Sequence, residues 1–221
     1  MNTERSNLIK NMQIQLKKRD TFQLGINTLI DLRNQIIHEI DTWLSILKEE
    51  DYHVMPYVNA KGYHSKNIAY SLWYIFRIED IVCHSLIKKD EQIFFLNQYQ
   101  ARMNPPIITT GNELKGYNIE QFTKQLNIKE LYHYIHEVKE STDTILKQLN
   151  FDDLRQTFSA LDRLRLESLN VVSTDDNAIW LLDYWCGKDT RGLIQMPFSR
   201  HWFMHFEACL RIIDKINKRK K

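Results

Sequence analysis

The chain has 221 residues, of which 43% are hydrophobic and 26% charged, and its formal charge is +2 at pH 7. That is the make-up of a soluble globular chain of one domain, and a chain of roughly 200 residues buries about 70% of the surface its unfolded form exposes. Six Gly and four Pro leave little material for the turns of a sandwich or barrel, and the near balance of charge shows none of the strong field that a nucleic-acid binder usually carries.

Residues 1–25 form a polar, basic extension with scattered Leu8, Ile9, Met12, Ile14 and Leu16. It either lies on the body as a short helix or frays. It has charges every few residues and no apolar core, so it does not read as a signal peptide. Residues 26–221 are expected to form a single helical domain. From Ile26 to Leu47, apolar residues recur at three- and four-residue spacing, through Leu29, Ile30, Ile36, Ile37, Ile40, Trp43 and Leu44, which predicts an amphipathic helix. Pro56 and Gly62 mark a loop.

A second helix is predicted from about Ser65 to Lys89. Its stripe of Ile68, Leu72, Ile75, Val82 and Leu86 is joined by Trp73, Tyr74, Phe76, Ile78 and Ile81, so its middle is apolar nearly all round and belongs at the centre of the fold. Glu79 interrupts the stripe and so lies near the core, where an acidic group needs a partner. Residues 90–126 read as irregular, with Pro105, Pro106, Gly111 and Gly116, and a long connection of this kind is often functional. A third helix covers Ile128 to Leu149, and a shorter one runs from Leu154 to about Leu169. Trp180 to Gly187 is rich in aromatic residues. The last helix is expected to start near Pro197 or Ser199 and to run into the basic tail. No strand is predicted. The fold class is all-α, an up-down bundle of four long helices with a long crossover and minor extra helices. No run approaches the 18 or so apolar residues of a membrane span.

Cys83, Cys186 and Cys209 lack CxxC spacing and read as free thiols in a reducing compartment, so the expected location is the cytoplasm. Among eight histidines, His201 and His205 sit four apart in RHWFMHFEA. On a helix they lie one above the other, about 5–6 Å apart at Cβ, and can either share a metal ion in a bundle core or simply pack. His133 and His136 lie off the apolar stripe of their helix and read as solvated. His38, His53, His64 and His84 are isolated. No GxSxG, glycine-rich phosphate loop or HExxH is present. The run KINKRKK reads as a solvated tail that also suits a helix C-terminus.

The strings NIAYSLWYIFRIEDIV, TTGNEL and WLLDYWCGKDTRGLIQMPFSRHWFMHFEACLRI, taken together, resemble the DinB/YfiT-like superfamily over roughly residues 26–215. The resemblance implies a four-helix bundle of up-down-down-up type with a long crossover. It also implies a divalent metal, zinc or nickel, held by one histidine from the second helix and two from the last. The last-helix pair carries over to His201 and His205. In the family pattern W-H-x-x-R-x-E-D, the histidine position is occupied here by Tyr74, between Trp73 and the run Arg77-Ile78-Glu79-Asp80. A phenol with a pKa near 10 is a poor ligand at neutral pH.

Two functions follow from the resemblance. One is a metal-dependent enzyme of thiol-transferase or hydrolase type with an incomplete triad of His201, His205 and Tyr74, supported by Glu79, Arg77 and Trp73. It would act on a small-molecule or thiol substrate such as bacillithiol or mycothiol. The other is a metal-free bundle that binds a small apolar ligand or a protein partner, lined by Trp73, Phe76, Trp202, Phe203 and Phe206. Tyr74 favours the second. Homodimers are common in the family, while a membrane or nucleic-acid partner is not expected. Metal binding is expected to be weak or absent. Both imidazoles should sit in the first two turns of the last helix, at its positive end, and hydrogen-bond to the Tyr74 hydroxyl or to water.

Overall fold

The computed structural model describes residues 3–220, so the first two residues of the N-terminal extension and the last lysine of the basic run lie outside the described residues. Among those described there is no strand. The N-terminal segment forms a helix, α1 (Thr3–Gln15), laid against α2 (Phe22–Ile46), and Ile9, Met12 and Leu16 are buried between it and the body. Gly25 permits the close turn between them: a Cβ there would meet Leu16 Cδ2 at 3.0 Å and Gln15 Cβ at 3.1 Å.

The central helix α3 (Ile68–Asp80) is capped by Asn67, whose side chain accepts the Tyr70 backbone N–H at 2.8 Å. Every residue of α3 is buried, as its all-round apolar pattern predicts. The helix continues as a π-helical stretch, Ile81–Lys88, and stops at Lys89, which adopts φ 63°. The connection that follows is less irregular than its prolines suggest. It contains three short helices, α4 (Ile93–Leu96), α5 (Tyr99–Met103) and α6 (Tyr117–Thr123).

Then come α7 (Ile128–Gln148), capped by Asn127, and α8 (Ala160–Ser168), which starts at a capping box of Ser159 and Asp162. The aromatic segment is α9 (Asp176–Cys186), followed by α10 (Thr190–Gln195) and α11 (His201–Arg219). The four long helices α2, α3 with its π-helical continuation, α7 and α11 contribute to one core. Among the described residues, no helix is long and apolar enough to cross a membrane.

Two buried ion networks, both rooted in the Arg77-Ile78-Glu79-Asp80 run of α3, set the register of this core. Glu79 is paired with Arg33 of α2, which donates from Nη1 to Oε2 at 2.9 Å and from Nη2 to Oε1 at 2.7 Å. Arg33 Nε also donates to Asp143 of α7 at 2.7 Å, and Lys139 meets the other Asp143 oxygen at 2.9 Å. The guanidinium lies 4.2 Å from the Trp202 ring centre, and Trp202 Nε1 donates to Glu79 at 2.6 Å. Burial alone would pull the Arg33 pKa down, but the charges of Glu79 and Asp143 outweigh burial and hold it above its ordinary value.

On the opposite side of α3, Arg77 donates to the Ile108 carbonyl at 2.8 Å and to Gln92 at 2.9 Å, and it pairs with Asp80 at 3.3 Å. Asp80 accepts the backbone N–H groups of Ile93 and Phe94, each at 2.9 Å, and the Tyr134 hydroxyl at 2.7 Å. It thereby satisfies the first amides of α4, which have no partner within that helix.

Removing one partner of a buried ion pair leaves the other desolvated and unpaired, at a cost of about 3–5 kcal/mol, whereas replacing both by apolar groups is often close to neutral. Arg33→Met is therefore expected to destabilise the protein by about that amount, and the double variant Arg33→Met/Glu79→Leu by less. Urea denaturation of the three proteins checks this; a single variant no worse than the double would contradict it.

Candidate functional site

The histidine pair is placed by an unusual piece of helix. Between α10 and α11 the chain makes a π turn, Met196–Arg200, with a kink at Met196 (φ −121°, ψ −74°). Pro197 has no N–H to give to an ordinary helical turn, and the wider π turn accommodates it. The His201 N–H donates to the Met196 carbonyl, five residues back. Arg33 Nη1 takes the Phe198 carbonyl at 3.1 Å, and the Ser199 hydroxyl donates to the Ile194 carbonyl at 2.9 Å. This corrects the expected start of the last helix. The chain is already helical from Thr190, so the histidines do not sit at a free, positive helix end.

Tyr74, His201 and His205 come together. The ring centres of Tyr74 and His201 are 5.2 Å apart, those of Tyr74 and His205 also 5.2 Å, and those of the two histidines 4.7 Å. All three side chains are buried, with 8%, 7% and 4% exposure for Tyr74, His201 and His205. Neither ring nitrogen of His201 has a protein partner, nor does Nδ1 of His205. Burial holds the His201 pKa down to about 4. Burial also drives His205 well below its ordinary value, helped by His201, Lys66 and His64. Both rings are therefore neutral at pH 7.

Tyr74 does not serve them as expected. Its hydroxyl reaches past the imidazoles and donates to Asn112 Oδ1 at 2.8 Å, in the TTGNEL loop. The Asn112 amide donates in turn to the Asn177 carbonyl, which also accepts Trp180 Nε1 at 2.9 Å. Tyr74 thus ties α3 to the start of α9. Burial raises its pKa, so the phenolate is less accessible than in a free tyrosine.

The imidazoles face a cavity of about 290 Å³. Tyr74 and Ile78 of α3 form its floor, and Trp180, Leu181, Tyr184 and Trp185 of α9 form one wall. Met196 and Pro197 of the π turn, Met204 of α11, and Tyr63 of the 3-10 turn Gly62–Ser65 complete it. Tyr63 and Met204 also border two neighbouring cavities, one of about 340 Å³ against α1 and one of about 210 Å³ beside His64.

The aromatic lining expected from the sequence is not the one found. Trp73 packs on Phe94 and Phe122, Phe76 on Trp202, and Phe206 on Trp43, all within the core, while Phe203 borders the neighbouring cavity against α1. α3 is buried all round, so its apolar pattern gives no hint of which side faces a cavity. Glu79 and Arg77 orient no histidine directly; Glu79 holds Trp202, the neighbour of His201, and Arg77 serves the opposite side of α3.

Of the remaining histidines only His64, whose ring centre is 4.0 Å from that of Tyr63, lies near the pair. His84 is engaged by Asp90 at 2.7 Å and Ser141 at 3.1 Å. Arg211 donates to His64, and His53 lines a separate surface cavity beside Glu49, Glu50 and Glu120. His136 pairs with Asp41 and His133 with Glu130, both exposed, in line with the solvated reading. Asn112, Tyr63, Tyr184, Trp185 and Arg33 are the site and supporting residues that the sequence reading passed over.

Among the described residues, no group of three or more His, Cys, Asp or Glu side chains is arranged to hold a metal ion. With Tyr74 committed to Asn112, the donors around the pair do not make up a three-ligand divalent site.

A histidine held neutral by the fold is paid for at low pH, where the unfolded chain takes up the proton more readily. The unfolded pKa is near 6.5 and the folded one about 4, so the contribution of His201 is complete above pH 6.5 and is lost as the pH falls toward 4. The loss expected from His201 alone is about 3 kcal/mol. NMR titration of the imidazole protons, with urea midpoints at pH 7 and pH 4.5, checks both parts; a His201 midpoint near 6.5 would contradict them.

No family model matches the chain, and no curated protein matches it.

Proposed function

We propose that the protein is a DinB-like helical bundle whose histidine cavity binds a small organic molecule without a metal. The observation that carries this reading is the cavity itself. It is bounded largely by aromatic and apolar side chains, its polar groups being two buried imidazoles and the phenols of Tyr63, Tyr74 and Tyr184, and among the described residues no group of three His, Cys, Asp or Glu side chains is arranged to hold a metal ion. A concave apolar site with a few convergent polar groups is the usual form of a small-molecule site. The up-down-down-up order of α2, α3, α7 and α11, with the stretch between α3 and α7 as the crossover, belongs to the same proposal. So does a cytoplasmic location, which suits the three free cysteines.

A second reading retains the metal. It is favoured by the ring nitrogens of His201 and His205 that have no protein partner. On that reading the protein is a zinc- or nickel-dependent thiol transferase or hydrolase, with His201 and His205 as ligands.

Calorimetric titration with zinc and nickel separates the two. The natural protein is expected to show no stoichiometric binding at submicromolar strength. Tyr74→His, which supplies a third imidazole, is expected to raise the affinity about tenfold or more, since even groups that only orient a ligand are worth 10–100-fold. Stoichiometric submicromolar binding by the natural protein, unchanged in Tyr74→His, would overturn the metal-free reading.

A further inference from the structure

We infer that the histidine cavity takes a small, neutral aromatic molecule of one or two fused rings that carries a hydroxyl or a ring N–H, bound by hydrogen bonds to His201 and His205. This rests on the metal-free reading above and specifies its ligand class. Three properties of the site argue for it.

Size comes first. At about 290 Å³ the cavity lies just below the roughly 300–1,000 Å³ range of ligand pockets. It suits a compact molecule better than a chain or a nucleotide. The second property is the shape of the walls. Trp180 and Tyr184 meet edge to face with ring centres 5.7 Å apart, and Trp180 is 46% exposed at the edge of the cavity. Tyr63 stands 5.7 Å from His205. Flat faces of this kind bind a flat ring by stacked and edge-on contacts, each worth about 0.5–1.5 kcal/mol beyond area burial.

The third property is charge. No Lys, Arg, Asp or Glu lines the cavity among the described residues. A carboxylate ligand would be desolvated with no cation on the wall to pair with. Two ammonium groups lie close by without lining it: Lys66 is bound to the Leu114 carbonyl at 2.9 Å and lies 4.5 Å from the Tyr70 ring centre, and Lys188 lies 4.3 Å from the ring centre of Tyr184. A cationic ligand would find no carboxylate on the wall, and the Lys66 ammonium near His205 is itself positive. A neutral group that both donates and accepts meets the site best. Each neutral imidazole offers one N–H and one bare nitrogen, and both nitrogens of His201 and Nδ1 of His205 are buried without a protein partner in side chains that line the cavity. A buried polar atom left without a partner is costly, so a ligand hydroxyl at this point gains more than a ring alone.

The test uses four probes of one shape on the full chain at pH 7: 2-naphthol, naphthalene, 2-naphthoate and 2-naphthylmethylammonium. Binding is followed by tryptophan fluorescence and calorimetry. One molecule of 2-naphthol is expected per chain, about tenfold or more tighter than naphthalene, a ratio within the reach of one well-made hydrogen bond to a buried group. Both charged probes should bind more weakly than 2-naphthol. His201→Leu should erase the preference for 2-naphthol while naphthalene still binds. Trp180→Ala, at a half-exposed position, should weaken 2-naphthol and naphthalene alike.

Naphthalene binding as tightly as 2-naphthol, or either charged probe binding more tightly, would overturn the ligand class and leave the metal-free pocket standing. If no probe binds and the protein takes up zinc stoichiometrically, the metal-free reading falls, and the ligand class falls with it.

Discussion

The Arg33–Glu79 pair is the contact on which the arrangement of the helices depends. Arg33 is the only cation that touches Glu79 among the described ion pairs, and its donors also reach Asp143 on α7 and the Phe198 carbonyl in the π turn. One guanidinium therefore joins α2, α3, α7 and the approach to α11. The fork of donors is rigid, so the four segments must meet it at fixed positions. Such a pair contributes little net stability compared with an apolar core, but misalignment is penalised heavily because it strands a buried charge. The same carboxylate holds the Trp202 indole, one residue from His201. The orientation of the histidines is thus set at one remove by a charge pair that does not touch them.

Much of this was legible in the sequence, in proportion to how local the cause is. Helix α7 follows its apolar stripe closely, and α3 is buried throughout, as its all-round apolar pattern predicts. The need of Glu79 for a partner follows from burial alone. The partner was harder to see, because an arginine between Ile30 and Ile36 reads as one more polar residue of an amphipathic helix. Yet position 33 lies on the stripe of Ile26, Leu29, Ile30, Ile36, Ile37 and Ile40, and a charge at a core position is itself the signal.

The histidine pair was found by spacing, while most of the cavity around it was not. Its walls come from Tyr63 and α9, far from the pair in sequence. The π turn has no periodic signature; Pro197 reads as a helix start and instead lies inside a continuous helical run.

Tyr74 shows how a residue at a candidate ligand position can have a structural role of its own. Its ring fills the space facing two imidazoles, and its hydroxyl is spent on Asn112, through which the TTGNEL loop and the start of α9 are held together. A shorter side chain at this position would reach neither. The aromatic wall of α9 is therefore positioned in part from the centre of the bundle, by a chain of three hydrogen bonds that ends at the Trp180 indole.

Tyr63 and Met204 are the lining residues that the histidine cavity shares with each of its two neighbours, which share Phe203 with one another as well. Met is among the most adaptable of side chains, and Tyr63 belongs to a short turn that begins at Gly62 with φ 62° and no atom within 4 Å of where a Cβ would stand. These two side chains, and no helix backbone, stand where the compartment of about 290 Å³ meets those of about 340 and 210 Å³. The size of the histidine cavity is therefore set on these sides by two side chains, so a change of either residue resizes it while leaving the imidazoles in place.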